Sequence, residues 1–209
     1  MPIKPHIHPE LFTYFENPEK WEERFLTPEI RSKNWDLYAQ EEISNIYTIP
    51  AFTEDFCDFM IDEAEASNQW TFDRHHNYPT TDMILQVIDM QDTYVEIQKK
   101  YIWPLSAHVF KLEEEEWIDM NSENFLARYH PYAQYHLALH HDMSQITTVV
   151  TLNEDFEGGG TFFSKQNTKL KGLKGHISVH PGQITHRHGG LPVESGQRYI
   201  IVSFCNLKK

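Results

Sequence analysis

The sequence predicts a mainly β domain with supporting helices, an α+β fold in which a small barrel or sandwich is buttressed on one side by helices. Two patterns carry this prediction. In the first half of the chain apolar residues recur at helical spacing, whereas from Asn124 onward they alternate with a period of two in short runs. The 209 residues, 40% of them hydrophobic, are enough for one full-sized domain with a substantial core.

The N-terminal segment mixes charged residues with tryptophan and tyrosine, as in WEERFLTPEIRSKNWDLYAQEEI. This mixture predicts one or two helices with aromatic anchors. We expect residues 1–43 to form a helical arm packed on a main domain that spans residues 44–209. The first twelve residues contain three prolines and no apolar run, so they do not resemble a secretory signal.

Two longer helices are predicted after a short strand in SNIYTIP. Thr53 is a suitable N-cap for the first helix, which places Phe56, Met60 and Ala64 on one face. The segment DTYVEIQKKYIWPLSAHVF predicts a second helix that is kinked or ends near Pro104, because proline has no N–H for the helical hydrogen bond.

Five runs rich in β-branched and aromatic residues follow. They lie at residues 125–131, 145–153, 160–165, 175–182 and 197–207. Turn sequences such as EDFEGGG and KLKG separate them. Several short strands with tight turns, preceded by helices, favour a barrel or sandwich that the front half supports.

The charge balance argues against a nucleic-acid partner. Eighteen Lys and Arg face 31 Asp and Glu, a net charge of −13, whereas phosphate binding requires clustered positive charge. A basic partner fits better, and the acidic run EEEE at 113–116 predicts a solvated surface. Cys57 and Cys205 are too few for a disulfide framework or a four-cysteine zinc site, and we expect both to be buried thiols. No apolar run approaches the roughly 20 residues of a membrane span.

The most distinctive chemistry lies in LALHHDMSQITTVV at residues 137–150. In an extended segment residues two apart point the same way, so His140 and Asp142 can bind one ion while His141 points elsewhere. A third ligand must come from another strand. Four downstream residues are candidates for it: His176, His180, His186 and His188.

Two histidines and one carboxylate on one face of an ion leave several coordination positions open, as in the non-haem Fe(II) oxygenases. A dicarboxylate cosubstrate would need a cation at its far end. Arg198 is the best choice, because it begins the last strand in phase with Ile200, Val202 and Phe204. A zinc hydrolase and a non-catalytic metal-binding scaffold stay open on these residues, although a structural metal site has no use for a dicarboxylate anchor.

Four longer segments carry a more specific pattern: RYHPYAQYHLALHHDMS, TLNEDFEGGGTFF, KGHISVHPGQITHRHGGLP and RYIIVSF. They resemble the C-terminal hydroxylase domain of the procollagen-lysine 2-oxoglutarate 5-dioxygenases, the collagen lysyl hydroxylases of the Fe(II)/2-oxoglutarate dioxygenase superfamily. The resemblance runs from about Ile46 to the C-terminus. The degree to which the sequence diverges from the family resembles that of a viral member. The resemblance implies a double-stranded β-helix core, jelly-roll or cupin-like, with the iron in its mouth.

Matched position by position, the resemblance implies that His140, Asp142 and His188 bind iron and that Arg198 anchors the 5-carboxylate of 2-oxoglutarate. These four would be the catalytic residues. Two further cosubstrate contacts are implied at Tyr129 and Thr151.

Periodicity does not choose His188 over His186, since both share a face; the family's ten-residue step to Arg198 does. His186 then becomes a neighbour of the iron site or an interface residue. The sequence departs from the family pattern at two positions: Gly189 stands in place of an acid, and Val149 in place of an asparagine.

The implied reaction is Fe(II)- and 2-oxoglutarate-dependent hydroxylation of lysine side chains at C5 in collagen-like Gly-X-Lys sequences, giving 5-hydroxylysine, succinate and CO2. Fe(II), 2-oxoglutarate, O2 and ascorbate are the expected cofactors. The expected partners are a collagen-like protein or peptide and a second copy of the chain, with the apolar turn GGLPV as an exposed contact. The family implies the endoplasmic reticulum or secretory pathway, with this chain as a fragment of a longer protein. The alternative is a 2-oxoglutarate hydroxylase acting on proline or on a non-collagen protein.

Overall fold

The computed structural model describes residues 6–72, 74–75, 77–117 and 120–207, and this part of the chain contains thirteen strands. The strands are β1 (Gln40–Ile43), β2 (Ile46–Pro50), β3 (Thr81–Ile84), β4 (Asn121–Tyr129), β5 (Leu137–His140), β6 (Ile146–Thr151), β7 (Phe156–Gly158), β8 (Thr161–Phe163), β9 (Thr168–Leu170), β10 (His176–Pro181), β11 (His188–Gly190), β12 (Val193–Gly196) and β13 (Arg198–Asn206).

Seven α-helices lie in the same part of the chain, all of them before β4 begins and outside the sheets. They are α1 (Pro18–Phe25), α2 (Pro28–Ser32), α3 (Trp35–Tyr38), α4 (Glu54–Ser67), α5 (Gln91–Ile97), α6 (Trp103–Phe110) and α7 (Glu114–Trp117). The five predicted strand runs correspond to β4, β6, β8, β10 and β13, and SNIYTIP forms β2.

Two antiparallel sheets form the body of the protein. The larger has seven strands in the order β1-β2-β10-β6-β13-β4-β3, and the smaller has four in the order β5-β11-β8-β9; β7 and β12 form a separate pair. The faces of the two main sheets meet, since the ring centroids of His180 on β10 and His188 on β11 are 5.1 Å apart. The result is a stacked pair of sheets, as expected for a jelly-roll core.

Alternation along the strands of the large sheet separates two apolar regions. On the outer face Leu126, Val150 and Ile201 belong to a large buried cluster that includes residues of α4, α5 and α6. On the inner face Phe125 and Ile200 belong to a smaller cluster. Arg198 has the same parity as Ile200 and therefore projects to the inner side.

The two predicted helices are present. The Thr53 Oγ1 accepts a hydrogen bond from the Phe56 N–H at 3.4 Å and caps α4, which ends at Asn68 in a left-handed conformation with φ 51°. In the second helix a π-helical turn at Gln98–Ile102 joins α5 to α6, with Pro104 in the first turn of α6. The turn absorbs the missing proline N–H, so the helix is interrupted there rather than ended.

The N-terminal helices share the core of the sheets. Leu11, Trp21, Phe25 and Ile30 are buried in the same cluster as α4, and the indole N–H of Trp21 donates to the Leu11 carbonyl at 2.8 Å. Strand β1 pairs with β2 at the edge of the large sheet. A division into residues 1–43 and 44–209 stays a prediction, and residues 1–5 lie outside the described part.

The predictions for the two cysteines and for the acidic run are confirmed. Both cysteines are buried free thiols, and the acidic run at 113–116 is exposed. Across the described residues, no helix combines the length and the apolar character that crossing a membrane demands.

Replacing Thr53 by alanine should lower the free energy of unfolding by about 1 kcal/mol, because the first turn of α4 loses its side-chain cap. The midpoint of chemical denaturation measures this loss. Thr53→Ser keeps the hydroxyl and serves as the control. Equal losses in both variants would show that the hydroxyl does not act as the cap.

Candidate active site

Three predicted ligands meet where the two sheets face each other. His140 ends β5 and pairs in register with His188 at the start of β11, while Asp142 follows in the loop after β5. One donor atom from each lies within 4.8 Å of the other two, and all three side chains are buried. The Oδ1 of Asp142 is 3.3 Å from the Nε2 of His140, and its Oδ2 is 3.6 Å from the Nε2 of His188.

The orientation of both imidazoles fits a bound metal ion. The Nδ1 of His140 lies 2.8 Å from the Ala138 carbonyl, and the Nδ1 of His188 lies 2.8 Å from the His186 carbonyl. Because a carbonyl only accepts, each Nδ1 carries a proton, and the Nε2 of each ring, on the side of Asp142, is the atom that can bind a metal ion. This donor set suits a divalent transition-metal ion with open coordination positions.

Asp142 is held as a carboxylate by its neighbours. Burial alone would raise its pKa, but the hydrogen bond with His140, the nearby histidines and the hydrogen bond from Thr147 lower the pKa to about 2. The Thr147 hydroxyl donates to Oδ2 at 2.5 Å, and the Asp142 N–H donates to the Gly182 carbonyl at 2.7 Å. Sequence reasoning missed Thr147, although its parity with Val149 on β6 could have placed it on the inner face.

Of the four downstream histidines, only His188 joins the cluster. His176 lines a different cavity. His180 is buried beside His188, and burial together with its histidine neighbour lowers its pKa to about 3, so it is neutral. The Nε2 of His186 lies 2.8 Å from the Ser44 carbonyl in the β1–β2 turn, and its own carbonyl orients His188. His141 is exposed at the cavity mouth, as expected.

Arg198 is a buried cation with neutral neighbours. Its Nη1 donates to the Gly160 carbonyl and its Nη2 to the Thr161 hydroxyl, both at 3.3 Å. Its Nε has no hydrogen-bond partner among the described residues, and burial lowers its pKa. Burying a charge against neutral groups is unfavourable. The arrangement therefore favours an anionic ligand at this end of the site.

A cavity of about 450 Å³ joins the metal cluster to Arg198. Its walls include apolar inner-face residues such as Phe125 and Val202, which suit a water-excluding site. Tyr129 lines this cavity, and its ring centroid is 5.5 Å from the Arg198 Cζ. Burial raises the pKa of Tyr129, so the phenol is neutral.

Thr151 is placed differently. It lines a second cavity of about 310 Å³, which shares Val149, Thr161 and Arg198 with the first. The structure thus brings Tyr129, but not Thr151, into the cavity of the metal cluster. The Thr151 side chain lies against Gly172, where an added Cβ would come within 2.2 Å of its Oγ1.

The glycine turn after β7 shapes the arginine end. Gly158, Gly159 and Gly160 all have positive φ, at 74°, 57° and 93°. A Cβ at Gly159 would lie 2.7 Å from the Phe156 ring and 3.4 Å from the Arg198 Cδ. The GGG sequence therefore lets the turn pass close to Arg198 and present the Gly160 carbonyl to it.

The structure explains where the sequence departs from the family pattern. A Cβ at Gly189 would meet the Leu137 carbonyl at 2.7 Å, so an acid does not fit this backbone, and Val149 forms the wall between the cavities. The turn GGLPV is exposed only in part: Pro192 is exposed and Leu191 is half-buried, whereas Val193 is buried in the inner apolar cluster. Its role as a dimer contact stays a prediction.

No family model matches the chain. Among curated proteins, it is 33% identical over 215 residues to the multifunctional procollagen lysine hydroxylase and glycosyltransferase LH3 of Rattus norvegicus. It is 32% identical over 214 residues to the procollagen-lysine,2-oxoglutarate 5-dioxygenase 2 of Homo sapiens. Each match covers 96% of this chain and 29% of the relative, so the chain spans under a third of their length.

Solved structures share the fold. The viral collagen prolyl hydroxylase of Paramecium bursaria Chlorella virus-1 has a TM-score of 0.53 at 22% identity, covering 79% of this chain and 97% of its own. A prolyl-4-hydroxylase of Pseudomonas putida has a TM-score of 0.55 at 14% identity, covering 75% and 89%. The predicted double-stranded β-helix and the resemblance to the lysyl hydroxylases are thereby confirmed.

Thr147→Val should weaken Fe(II) binding about 10-fold or more, because Asp142 loses the hydroxyl that orients its carboxylate. Anaerobic metal titration measures the change. Thr148→Val is the matched control: it makes the same exchange one residue along β6, and the Thr148 hydroxyl has no partner among the described residues. Equal affinities in the two variants would contradict the role of Thr147.

Proposed function

We propose, since the chain belongs to the Fe(II)- and 2-oxoglutarate-dependent dioxygenases and is related to procollagen-lysine 5-dioxygenases, that it hydroxylates lysine side chains at C5 in collagen-like Gly-X-Lys sequences. The single observation that carries this proposal is a cavity with a two-histidine, one-carboxylate cluster at one end and the buried Arg198 at the other. Such a cavity suits a metal-chelating dicarboxylate.

In this proposal His140, Asp142 and His188 hold the metal, and Arg198 binds the far carboxylate of 2-oxoglutarate. Bound Fe(II) supplies the oxygen chemistry, in which 2-oxoglutarate, O2 and lysine become succinate, CO2 and 5-hydroxylysine. Tyr129 contacts the cosubstrate from β4, and Thr151 contacts it from the second cavity, which it lines together with Arg198. The apolar walls exclude water, which would otherwise compete with the substrate. Ascorbate is included as the reductant that keeps the iron ferrous.

Lysine is preferred over proline on the basis of relatedness. The curated relatives at 31–33% identity are lysyl hydroxylases by name. Proline is the second candidate, because solved structures with this fold are prolyl hydroxylases, but at 22% identity or less they share the fold alone. The net charge of −13 also suits attraction of a basic strand.

The test is anaerobic loading with Fe(II), followed by O2, 2-oxoglutarate, ascorbate and either a Gly-X-Lys or a proline-rich collagen-like peptide. Succinate and peptide mass are followed together. One added oxygen on lysine, lost in His140→Ala and kept in His141→Ala, is the expected result. Oxidation of proline alone would transfer the proposal to the second candidate, and absence of succinate with iron bound would refute both.

Arg198→Ala should weaken 2-oxoglutarate binding about 100-fold while the iron stoichiometry stays unchanged, because two charge-assisted hydrogen bonds to one carboxylate are lost. Anaerobic titration of the Fe(II)-loaded protein measures both quantities. Arg128→Ala is the control, since Arg128 lies on the outer face of β4 and pairs with Glu65. Unchanged 2-oxoglutarate affinity in the Arg198 variant would remove the proposed anchor.

We also propose that the chain forms a homodimer, as its relationship to the lysyl hydroxylases suggests. Light scattering should then give twice the 24.8 kDa of one chain. A mass of one chain across a wide range of protein concentrations would refute this proposal.

A further inference from the structure

A carboxylate stands at the outer part of the metal-site cavity. Glu123 lies on β4 with the parity of the inner-face residues Phe125 and Tyr129, and it lines the cavity that contains the metal cluster. Its side chain is 50% exposed. Its neighbours Ser122 and Asn124 point the opposite way and bond to Gln98 on the helical side.

Strand register connects Glu123 to Thr147, two strands away beside the metal cluster. Glu123 is opposite Phe204 on β13, and Phe204 is opposite Thr147 on β6. Thr147 is the residue that holds Asp142. Neighbouring strands lie about 4.8 Å apart, so the backbones of Glu123 and Thr147 are about 10 Å apart, with the Phe204 ring between them.

A cation already occupies the position beside Glu123. The Nη1 of Arg74 pairs with Asp82 at 3.1 Å, and its Nη2 pairs with Glu123. The Arg74 Cζ lies 5.3 Å from the centroid of the Phe125 ring, so this aromatic wall accommodates positive charge. Arg74 is shared between Glu123 and Asp82, and Asp82 also lies 3.6 Å from the Nε2 of His75, so a further cation can take the place of Arg74 at the half-exposed Glu123.

We propose that Glu123 accepts a hydrogen bond from the ammonium group of the substrate lysine and so selects lysine over uncharged side chains. This inference rests on the proposed lysyl hydroxylase function. The incoming ammonium replaces the Nη2 contact of Arg74, while Arg74 keeps its pair with Asp82. Asp82 is fully buried and does not line the cavity, so its charge stays compensated throughout.

The length of the lysine side chain is compatible with the spacing between Thr147 and Glu123. The ammonium nitrogen lies two bonds beyond C5, roughly 2.5 Å, and a charge-assisted hydrogen bond adds about 2.8 Å. When C5 is at the metal cluster, the carboxylate must lie about 5 Å farther out, which the spacing from Thr147 to Glu123 allows. Phe125 and Phe204 contact the aliphatic stem. A proline ring has no charge to place there.

The test compares two collagen-like peptides that differ in one residue, lysine or norleucine. Norleucine has the four-carbon chain of lysine without the ammonium group. Their affinities are measured on the Fe(II)- and 2-oxoglutarate-loaded protein without O2, so that no turnover occurs, and the rates of oxidation are measured separately with O2. The proteins are the wild type, Glu123→Gln, Glu123→Asp and the control Glu157→Gln, which neutralises an exposed carboxylate on β7.

The wild type and Glu157→Gln should bind the lysine peptide about 10- to 100-fold more tightly than the norleucine peptide. Glu123→Gln should lose most of this preference while its affinities for Fe(II) and 2-oxoglutarate stay unchanged, and Glu123→Asp should keep part of it. If Glu123→Gln retains the full preference while lysine is still hydroxylated, the inference fails alone. If the wild type turns over 2-oxoglutarate but neither binds nor oxidises the lysine peptide, the proposed substrate fails and the inference with it.

Discussion

The alternation of side chains along β4, β6 and β13 is the constraint on which the rest of the structure depends. Because successive residues point to opposite faces, β13 presents Ile201 to the helices and Arg198 to the cavity. A slip of one residue would turn the arginine into the apolar helical core and the isoleucine into the site. Burying polar groups between the two sheets costs free energy. Burial of the apolar outer face against α4, α5 and α6 offsets this cost and fixes the strand register.

The metal cluster depends on both sheets at once. His140 and His188 are register partners in the small sheet, whereas Asp142 is oriented by Thr147 of the large sheet. The two histidines meet within the small sheet and the large sheet orients the third donor, so a bound ion would depend on both sheets and contribute to folding. At the other end Arg198 extends from the large sheet to the turn that begins β8, which sets the length of the cavity between metal and guanidinium.

Much of the fold could be predicted, and the reason is the length of its periodic segments. The helix beginning after Thr53 and the strands β4, β6 and β13 are long enough for a period to be recognised. Strands such as β7, β11 and β12 have three or four residues and are defined by their partners, so alternation cannot reveal them. Thr147 and Glu123 were missed for a related reason: a threonine and a surface-type acid carry no signal until register places them beside the site. Composition also does not report that Val193 of the GGLPV turn folds inward while Pro192 stays exposed.

The sequence by itself determined the chemistry that this protein can support: two imidazoles and a carboxylate at strand spacing, and an arginine in phase with an apolar strand. It also carried enough of the family pattern to favour His188 and Arg198. Only the tertiary structure decided which histidine reaches Asp142, that His186 contributes a carbonyl instead of a ring nitrogen, and that Thr151 faces a different cavity from Tyr129. The physical reason is that a period reports the face of a strand, whereas coordination and hydrogen bonding depend on distances between atoms that the chain brings together from different strands.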